Sequence, residues 1–334
     1  MTTSRRGVIT RAILDAFHEV GATAVQVPEP AAHPRKYLVV RDGRQSSVWA
    51  YCWSLTPGGR PSLPNEYRIQ MTSVQSPLAM NPNGYTVLLG YDPVREVFAG
   101  YDISRHSTFT SGSPSVQIDN TTLNQALQNG LSFQVKSNDD TVVGIRSDLL
   151  LFYCENAPTL HELGEDPTHL ATANRAARSE DISDQELQPL PQQRQLVIRE
   201  TARWSRSSSF RKQVLSAYDN RCAVTRRKLD LVDAAHILPV EAGSRSIDHV
   251  RNGIALSPTY HRAFDKGLIF LDEAMVMHLN EDAANKLTAQ GLHAGIDGFA
   301  AHLGQIHLPY SSDLRPDPYF IQQANEYRLP LGVL

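Results

Sequence analysis

Asp233-Ala-Ala-His-Ile-Leu-Pro239, Arg251-Asn-Gly-Ile-Ala-Leu-Ser257 and His261-Arg-Ala-Phe-Asp265 follow one another closely in this 334-residue chain, and their order decides the reading of its second half. Val232 to Leu238 is strand-like, Pro239 to Val250 is a polar loop containing Gly243 and Asp248, and Ile254 to Leu256 is a second short strand. Pro258 to Lys266 fits a short helix entered at Ser257, because the missing N–H of proline costs nothing at the first helical position. The expected local fold is strand, loop, strand, helix. Cys222-Ala-Val-Thr225 precedes it and Gly267-Leu-Ile-Phe270 follows it.

On such a helix His261 and Asp265 are four apart and share a face. An imidazole and a carboxylate on one face can bind a single divalent cation. If His236, near the end of the first strand, faces that helix, a cation and a proton acceptor address the same group. Hydrolysis of a phosphodiester needs these parts: a cation to stabilise charge on the phosphoryl oxygens and a base to deprotonate water. Histidine suits the second task because its ordinary pKa leaves it largely neutral slightly above pH 7. Taken singly, His236 between Ala235 and Ile237 would be a packed histidine, and Asn252 before Gly253 an ordinary turn residue. Their occurrence together with His261 and Asp265, in this order, favours the chemical reading.

Residues 222 to 270 resemble the HNH nuclease family, the ββα-metal finger nucleases, and more narrowly a restriction-endonuclease-like subgroup with Ala-Ala-His-Ile, Asn-Gly and His-x-x-Phe-Asp. The resemblance implies a general base at His236 and an asparagine, Asn252, that braces the loop between the strands and helps to orient that base. It implies a metal-binding histidine at His261 and a second helical ligand, or a residue supporting it, at Asp265. The implied cofactor is Mg2+ or Mn2+, and the implied products carry 5′-phosphate and 3′-hydroxyl ends. Two positions depart from the pattern. Where many members place a further metal ligand, directly before the base, this chain has Ala235. Asp233 offers a carboxylate and is a candidate ligand, yet strand alternation points it away from the face of His236 unless a bulge or twist intervenes. Cys222 is followed by Thr225 where a partner cysteine would stand, so no structural zinc is expected.

Outward from this motif, Arg194 to Lys228 holds ten Arg or Lys residues against Glu200 and Asp219. The net charge of −3 conceals this segregation. The block is either a solvated face or a footprint for a phosphate backbone; Arg211, Lys212, Arg226 and Arg227 are its candidate DNA contacts. A helical pattern begins at Gln195 and is interrupted by Arg206-Ser-Ser-Ser209. The stretch before it is acidic, with seven Asp or Glu against two Arg between Glu162 and Glu186, and has some helical pattern around Leu170 to Arg178.

The first half differs in character. After an amphipathic helix over Gly7 to Glu19, Tyr37–Val40, Ser47–Trp53, Glu66–Gln70, Tyr85–Leu89, Glu96–Tyr101 and Val142–Arg146 are short β-branched and aromatic runs separated by Gly, Pro, Asp and Asn, as strands joined by turns would be. Tyr91–Arg95 reads as a hairpin connection, Leu123–Leu127 as a brief helix, and Ser147–Cys154 as either strand or helix. The expected fold class is α+β: a β-rich N-terminal domain over residues 1–157, an acidic connector over 158–193, and a helical nuclease domain over 194–334 containing the ββα-metal motif.

A small nuclease finger makes mostly phosphate contacts, so sequence choice is expected from the first domain. Arg68, Gln70, Arg95 and Arg105 are candidate readers of base edges, with Tyr101 and His106 beside them. Tyr67, Ile69, Trp49 and Trp53 alternate as core residues of strands do. Cys52, Cys154 and Cys222 form no pair motif, which suits a reducing compartment. No apolar run reaches the roughly 18 residues of a membrane helix, and Met1 to Arg6 does not begin a secretory leader. A cytoplasmic enzyme without membrane contact is expected. Its expected substrate is double-stranded DNA, read at a short sequence or a modified base, and cutting both strands with one site per chain fits a homodimer. The alternatives are a ligand-triggered or nonspecific nuclease of bacterial antiviral defence, and a DNA-binding module whose nuclease site has decayed, the latter motivated by Ala235.

Overall fold

In Tyr85-Thr-Val-Leu-Leu89 the last three residues are all buried, Val87 and Leu89 on one side of a sheet and Leu88 on the other. Such a run belongs to a strand covered on both faces, and the first part of the chain is built around it. The computed structural model describes residues 5–28, 32–60, 62–110, 112, 114–229 and 231–328. It divides into two units, Met1–Ser205 and Arg206–Leu334.

In the first unit α1 (Arg5–Glu19) is followed by β1 (Thr23–Val27), β2 (Arg35–Arg41), β3 (Arg44–Ser54), β4 (Thr56–Pro57), β5 (Glu66–Gln70), β6 (Tyr85–Asp92) and β7 (Val97–Tyr101). Then come α2 (Ile103–His106), β8 (Ser115–Asp119), α3 (Asn120–Asn129), β9 (Leu131–Val135) and β10 (Thr141–Arg146). The unit continues through α4 (Leu150–Glu162), α5 (Pro167–Ala177), α6 (Asp184–Leu187) and the first part of α7 (Gln192–Ala217). Seven strands form one sheet in the order β1-β2-β3-β6-β7-β10-β9. Its neighbours are antiparallel except β3 and β6, which are parallel with Val48 opposite Tyr85. One face packs on Ile13 and Phe17 of α1 and on Leu151, Tyr153 and Cys154 of α4. The other packs on Ile69, Val116 and Ile118 of the small sheet β4-β5-β8 and on Leu123 of α3.

The strand expectations correspond to β2, β3, β5, β6, β7 and β10, and Tyr91–Arg95 does join an antiparallel pair. Ser147–Cys154 resolves to a 3-10 turn leading into α4. The acidic stretch read as a connector contains α5 and α6, and Ala173, Ala176, Ala177, Leu187 and Leu190 are buried in the first core. Alanine carries little hydrophobic signal in a polar sequence, so the buried face is faint there. Helix α7 runs through Arg206-Ser-Ser-Ser209 without a break.

In the second unit β11 (Asp233–His236) and β12 (Gly253–Leu256) pair antiparallel, with Asp233 opposite Leu256 and His236 opposite Gly253. α8 (Pro258–Asp265) follows, with Ser257 in extended conformation at its N-cap and proline at its first position. Beyond it lie β13 (Ile269–Leu271), β14 (Val276–Leu279), α9 (Glu281–Ala289), α10 (Ile296–Ala300), β15 (Gly304–Gln305) and α11 (Pro318–Arg328), with β13, β14 and β15 in one small sheet. Phe210, Val214, Tyr218, Ile237, Leu256, Phe264 and Ile321 share its core. The chain is α+β, with its ββα element in the C-terminal part. Among the described residues no helix is long and apolar enough to cross a membrane.

Candidate active site

Gly253 shows why the Asn-Gly pair is more than a turn. A Cβ on this residue would stand 2.2 Å from Cγ2 of Val214 and 3.1 Å from the Phe210 ring, so glycine lets the end of α7 press against the β11–β12 pair. The same contact sets Phe210 against the putting-out end of β11: its ring is parallel to that of His236, with centroids 4.0 Å apart and planes at 6°. Nε2 of His236 lies 2.8 Å from Oδ1 of Asp248 in the loop.

That loop is held from inside by Asn252, which is fully buried. Its Oδ1 accepts the Leu238 N–H at 2.8 Å, and its Nδ2 donates to the carbonyls of Leu238 (3.2 Å) and Ile247 (3.0 Å) and to Oγ of Ser246 (3.3 Å). A buried amide satisfied on both ends fixes the backbone that carries it. The side chain reaches no part of the cavity described next; it supports the strand end and the loop.

His236 and His261 line one cavity of about 460 Å3, together with Glu241, Asp265, Tyr327 and Arg328. His261 is gripped on both ring nitrogens: Nδ1 lies 3.4 Å from Oδ2 of Asp233 and Nε2 lies 3.3 Å from Oδ2 of Asp265. The β11 register has no bulge, yet Asp233 reaches the helical histidine from the start of the strand. It does so on the nitrogen opposite to the one Asp265 approaches, and it does not line the cavity. Its other oxygen pairs with Arg211 at 3.4 Å. The His261 hydrogen bond holds the Asp233 carboxyl below its ordinary range, and the nearby charges of His261 and Arg211 add to this. Ala235, where a further ligand would stand, is completely buried in the core.

Arg328 entered the site without any signal in the sequence motif. It is 10% exposed, lies 4.4 Å above the Phe264 ring, pairs with Asp265 at 3.5 Å and donates to the His236 carbonyl at 3.3 Å. Its Nη1 is buried and has no hydrogen-bond partner among the described residues. Burial lowers the pKa of this guanidinium, against the opposing effect of Asp265. Asp248 and Phe210 were likewise invisible as site residues; a carboxylate in the loop that follows a candidate base is the one local hint available.

A divalent ion of the magnesium type keeps several waters and takes one or two protein ligands with the remainder from phosphate oxygens. Nε2 of His261 and Asp265, adjacent on one cavity wall, fit that mode. No group of three His, Cys, Asp or Glu side chains suited to a closed metal cage occurs among the described residues. Cys222 is buried, and its Sγ accepts the Ser257 N–H at 3.3 Å and the Thr225 N–H at 3.5 Å, tying the Cys222–Thr225 turn to the entrance of α8.

The comparisons with known proteins address the same segment. Residues 222–272 match the family described as HNH endonuclease. This segment is an HNH endonuclease domain. The chain is therefore a DNA-cleaving hydrolase. Residues 46–154 match a second family, described as methylase-associated X1. No curated protein matches the chain. A solved structure described as a modification-dependent TagI restriction endonuclease is similar at 12% identity over 86% of this chain and 85% of that one, with a TM-score of 0.31, too distant a likeness to bear on fold or function.

The candidate readers of the first unit are scattered. Arg95 pairs with Asp92, bonds Asn120 and Asn124, and lies over the Tyr67 ring. Arg105 donates to the carbonyls of Asn138 and Asp139, and His106 meets Asp140 at 3.0 Å. Tyr101 is 1% exposed, so its ring offers no face to a base. Arg68 is half-buried in β5, and Gln70, at the end of that strand, is exposed beside Trp53 and Arg35 at a cavity of about 380 Å3. In the second unit Lys212, Arg226 and Arg227 are exposed, whereas Arg211 is held by Asp233.

Proposed function

We propose that the chain is a restriction-type endonuclease that hydrolyses double-stranded DNA with the help of Mg2+ or Mn2+. The observation that carries this reading is the convergence of His236 and His261, from β11 and α8, on one cavity also lined by Asp265 and Arg328. In it His236 takes the proton of the attacking water. His261 and Asp265 hold the cation, which when bound supplies Lewis-acid stabilisation of the phosphoryl oxygens. Asp233 orients His261 through Nδ1 and so directs Nε2 to the metal. Arg328 offers its Nη1 to a phosphate oxygen. Asn252 keeps the strand end and loop in place. The description of the 46–154 family as methylase-associated supports a restriction-modification setting, with Arg68 and Gln70 the reader candidates that keep an accessible place and with cutting of both strands by a homodimer.

Incubation of methylated and unmethylated plasmid with the protein, with and without Mg2+ or Mn2+, tests the reading. Discrete, metal-dependent fragments that disappear in H236A and H261A are expected. Undiminished cutting by both variants would remove the assignment. A second reading, a defence nuclease triggered by a small ligand, is favoured by the engagement of Arg95 and Arg105 inside their own domain and by the burial of Tyr101; smeared products, or cutting only after a ligand is added, would support it.

A further inference from the structure

His236 has two ring nitrogens, and a base needs one of them bare. Nε2 is 2.8 Å from Asp248, while Nδ1 has no hydrogen-bond partner among the described residues. We propose that Asp248 is the positioning residue of the base: it accepts a hydrogen bond from Nε2–H and thereby fixes the imidazole as the tautomer whose free lone pair is on Nδ1. The inference rests on the reading of His236 as the base.

Three features make the pair a built arrangement. A carboxylate only accepts hydrogen bonds, so a partner at 2.8 Å must bring the proton. The hydrogen bond to His236 holds the Asp248 carboxyl below its ordinary range, outweighing the burial that raises it, with the His236 and Arg206 charges assisting. The ring cannot turn freely, because Phe210 lies flat against it. The loop position of Asp248 is also fixed, since Asn252 grips the two preceding residues through Ser246 Oγ and the Ile247 carbonyl. The other charged groups at the cavity, Glu241, Asp265 and Arg328, come from other elements, and none of their side chains hydrogen-bonds a His236 ring nitrogen.

Water gives a proton to Nδ1 as its oxygen bonds to phosphorus; the P–O bond to the 3′ oxygen breaks, and that oxygen takes a proton from solvent. The imidazolium formed on the way has its charge against the Asp248 carboxylate, which therefore favours the transition state more than the ground state.

D248N keeps size and shape but introduces an amide that can donate to Nε2, which moves the imidazole proton onto Nδ1 and blocks the base. Single-turnover cleavage is expected to fall about a hundredfold or more, with the DNA dissociation constant and the melting temperature little changed. Nitrogen NMR, with the His236 signals assigned by their loss in H236Q, should show the Nε2–H tautomer in the wild type and a shift toward Nδ1–H in D248N. A D248N rate within a few-fold of wild type, or an Nδ1–H tautomer in the wild type, overturns the inference. Loss of cutting in H236Q with retention in D248N overturns it alone; full cutting by H236Q overturns the reading of His236 as base and this inference with it.

Discussion

Asn252 holds both backbone groups of Leu238: its Oδ1 accepts the N–H at 2.8 Å and its Nδ2 donates to the carbonyl at 3.2 Å. Leu238 lies just beyond β11, so this amide closes the strand end that carries His236 and ties it to the loop that carries Asp248. N252A leaves the buried Leu238 N–H without its acceptor and takes the donor from the partly buried Ile247 carbonyl. Each such loss costs about 1–3 kcal/mol, and a total of about 3 kcal/mol is expected by urea unfolding of the second unit. N252D keeps the acceptor for Leu238 but loses the donor and adds a buried charge, so it should be no more stable than N252A. If N252A unfolds at the wild-type midpoint, the scaffold role assigned to this residue fails.

Asp233 and Asp265 approach opposite nitrogens of His261, so the two roles proposed for them, bracing and ligation, can be told apart by measurement. In D233A the imidazole loses the acceptor on Nδ1, and metal affinity should fall about 10- to 100-fold. Cleavage measured across a Mg2+ titration should show a higher half-saturating concentration and a maximal rate close to wild type. R211A removes the other partner of Asp233 and leaves the His261 contact, so its titration should shift much less. A D233A enzyme that remains slow at saturating metal would instead place Asp233 among the ligands.

Asp140 gives the first unit a defined acid limb. Its carboxylate is 1% exposed and lies 3.0 Å from Nε2 of His106 and 3.3 Å from Nζ of Lys136. Burial alone would raise its pKa, but the hydrogen bonds and charges of His106 and Lys136 bring it down to about 2 from an ordinary 3.8. The folded-state value is the lower one, so the stabilisation is present above the ordinary value and lost as pH falls from about 4 to about 2. It amounts to about 2 kcal/mol. All three tryptophans, Trp49, Trp53 and Trp204, belong to the first unit, so tryptophan fluorescence follows its unfolding separately. Wild-type unfolding free energy should decline over that interval, and D140N should be less stable at neutral pH with a flatter acid limb.

How much of this was legible in the sequence depends on the range over which each signal acts. His236, Asn252, His261 and Asp265 could be named as candidates because the motif that carries them, with its HNH resemblance, lies within about thirty residues of sequence; the fold brings His236, His261 and Asp265 to one cavity and leaves Asn252 beneath the loop. The strands with strong β-branched and aromatic runs could be read because that signal is local too, whereas β8 and β9 carry polar residues such as Gln117, Asp119, Ser132 and Gln134 and are not among the runs read as strands. α7 is continuous through three serines because Val197, Ile198, Phe210 and Val214 bury its two ends in the cores, and tertiary packing overrides weak propensity. Asp248, Phe210 and Arg328 join the site only through the folded chain. Their side chains answer to neighbours distant in sequence, and no spacing rule could have supplied them.

The structure sorts the charges of the basic block between Arg194 and Lys228 into paired and unpaired ones. Arg199 pairs with Asp184, Arg211 with Asp233, and Arg221 and Lys228 both pair with Asp219. Lys212, Arg226 and Arg227 are exposed and have no ion-pair partner among the described residues. Arg226 also sits in the left-handed backbone region, φ 58°, at the turn after Thr225, which displays neighbouring side chains in one tight bend. Unpaired cations keep their charge for a phosphate backbone, while paired ones have already neutralised part of it. Each phosphate contact contributes a slope of about −0.9 to the dependence of log affinity on log salt for duplex DNA. Removing Lys212, Arg226 or Arg227 singly should therefore reduce the slope by about one unit and weaken binding to all sequences alike. R221A and K228A should change it by much less, since each leaves Asp219 with its other partner. Equal slopes across all five variants would mean that the DNA path runs over another surface.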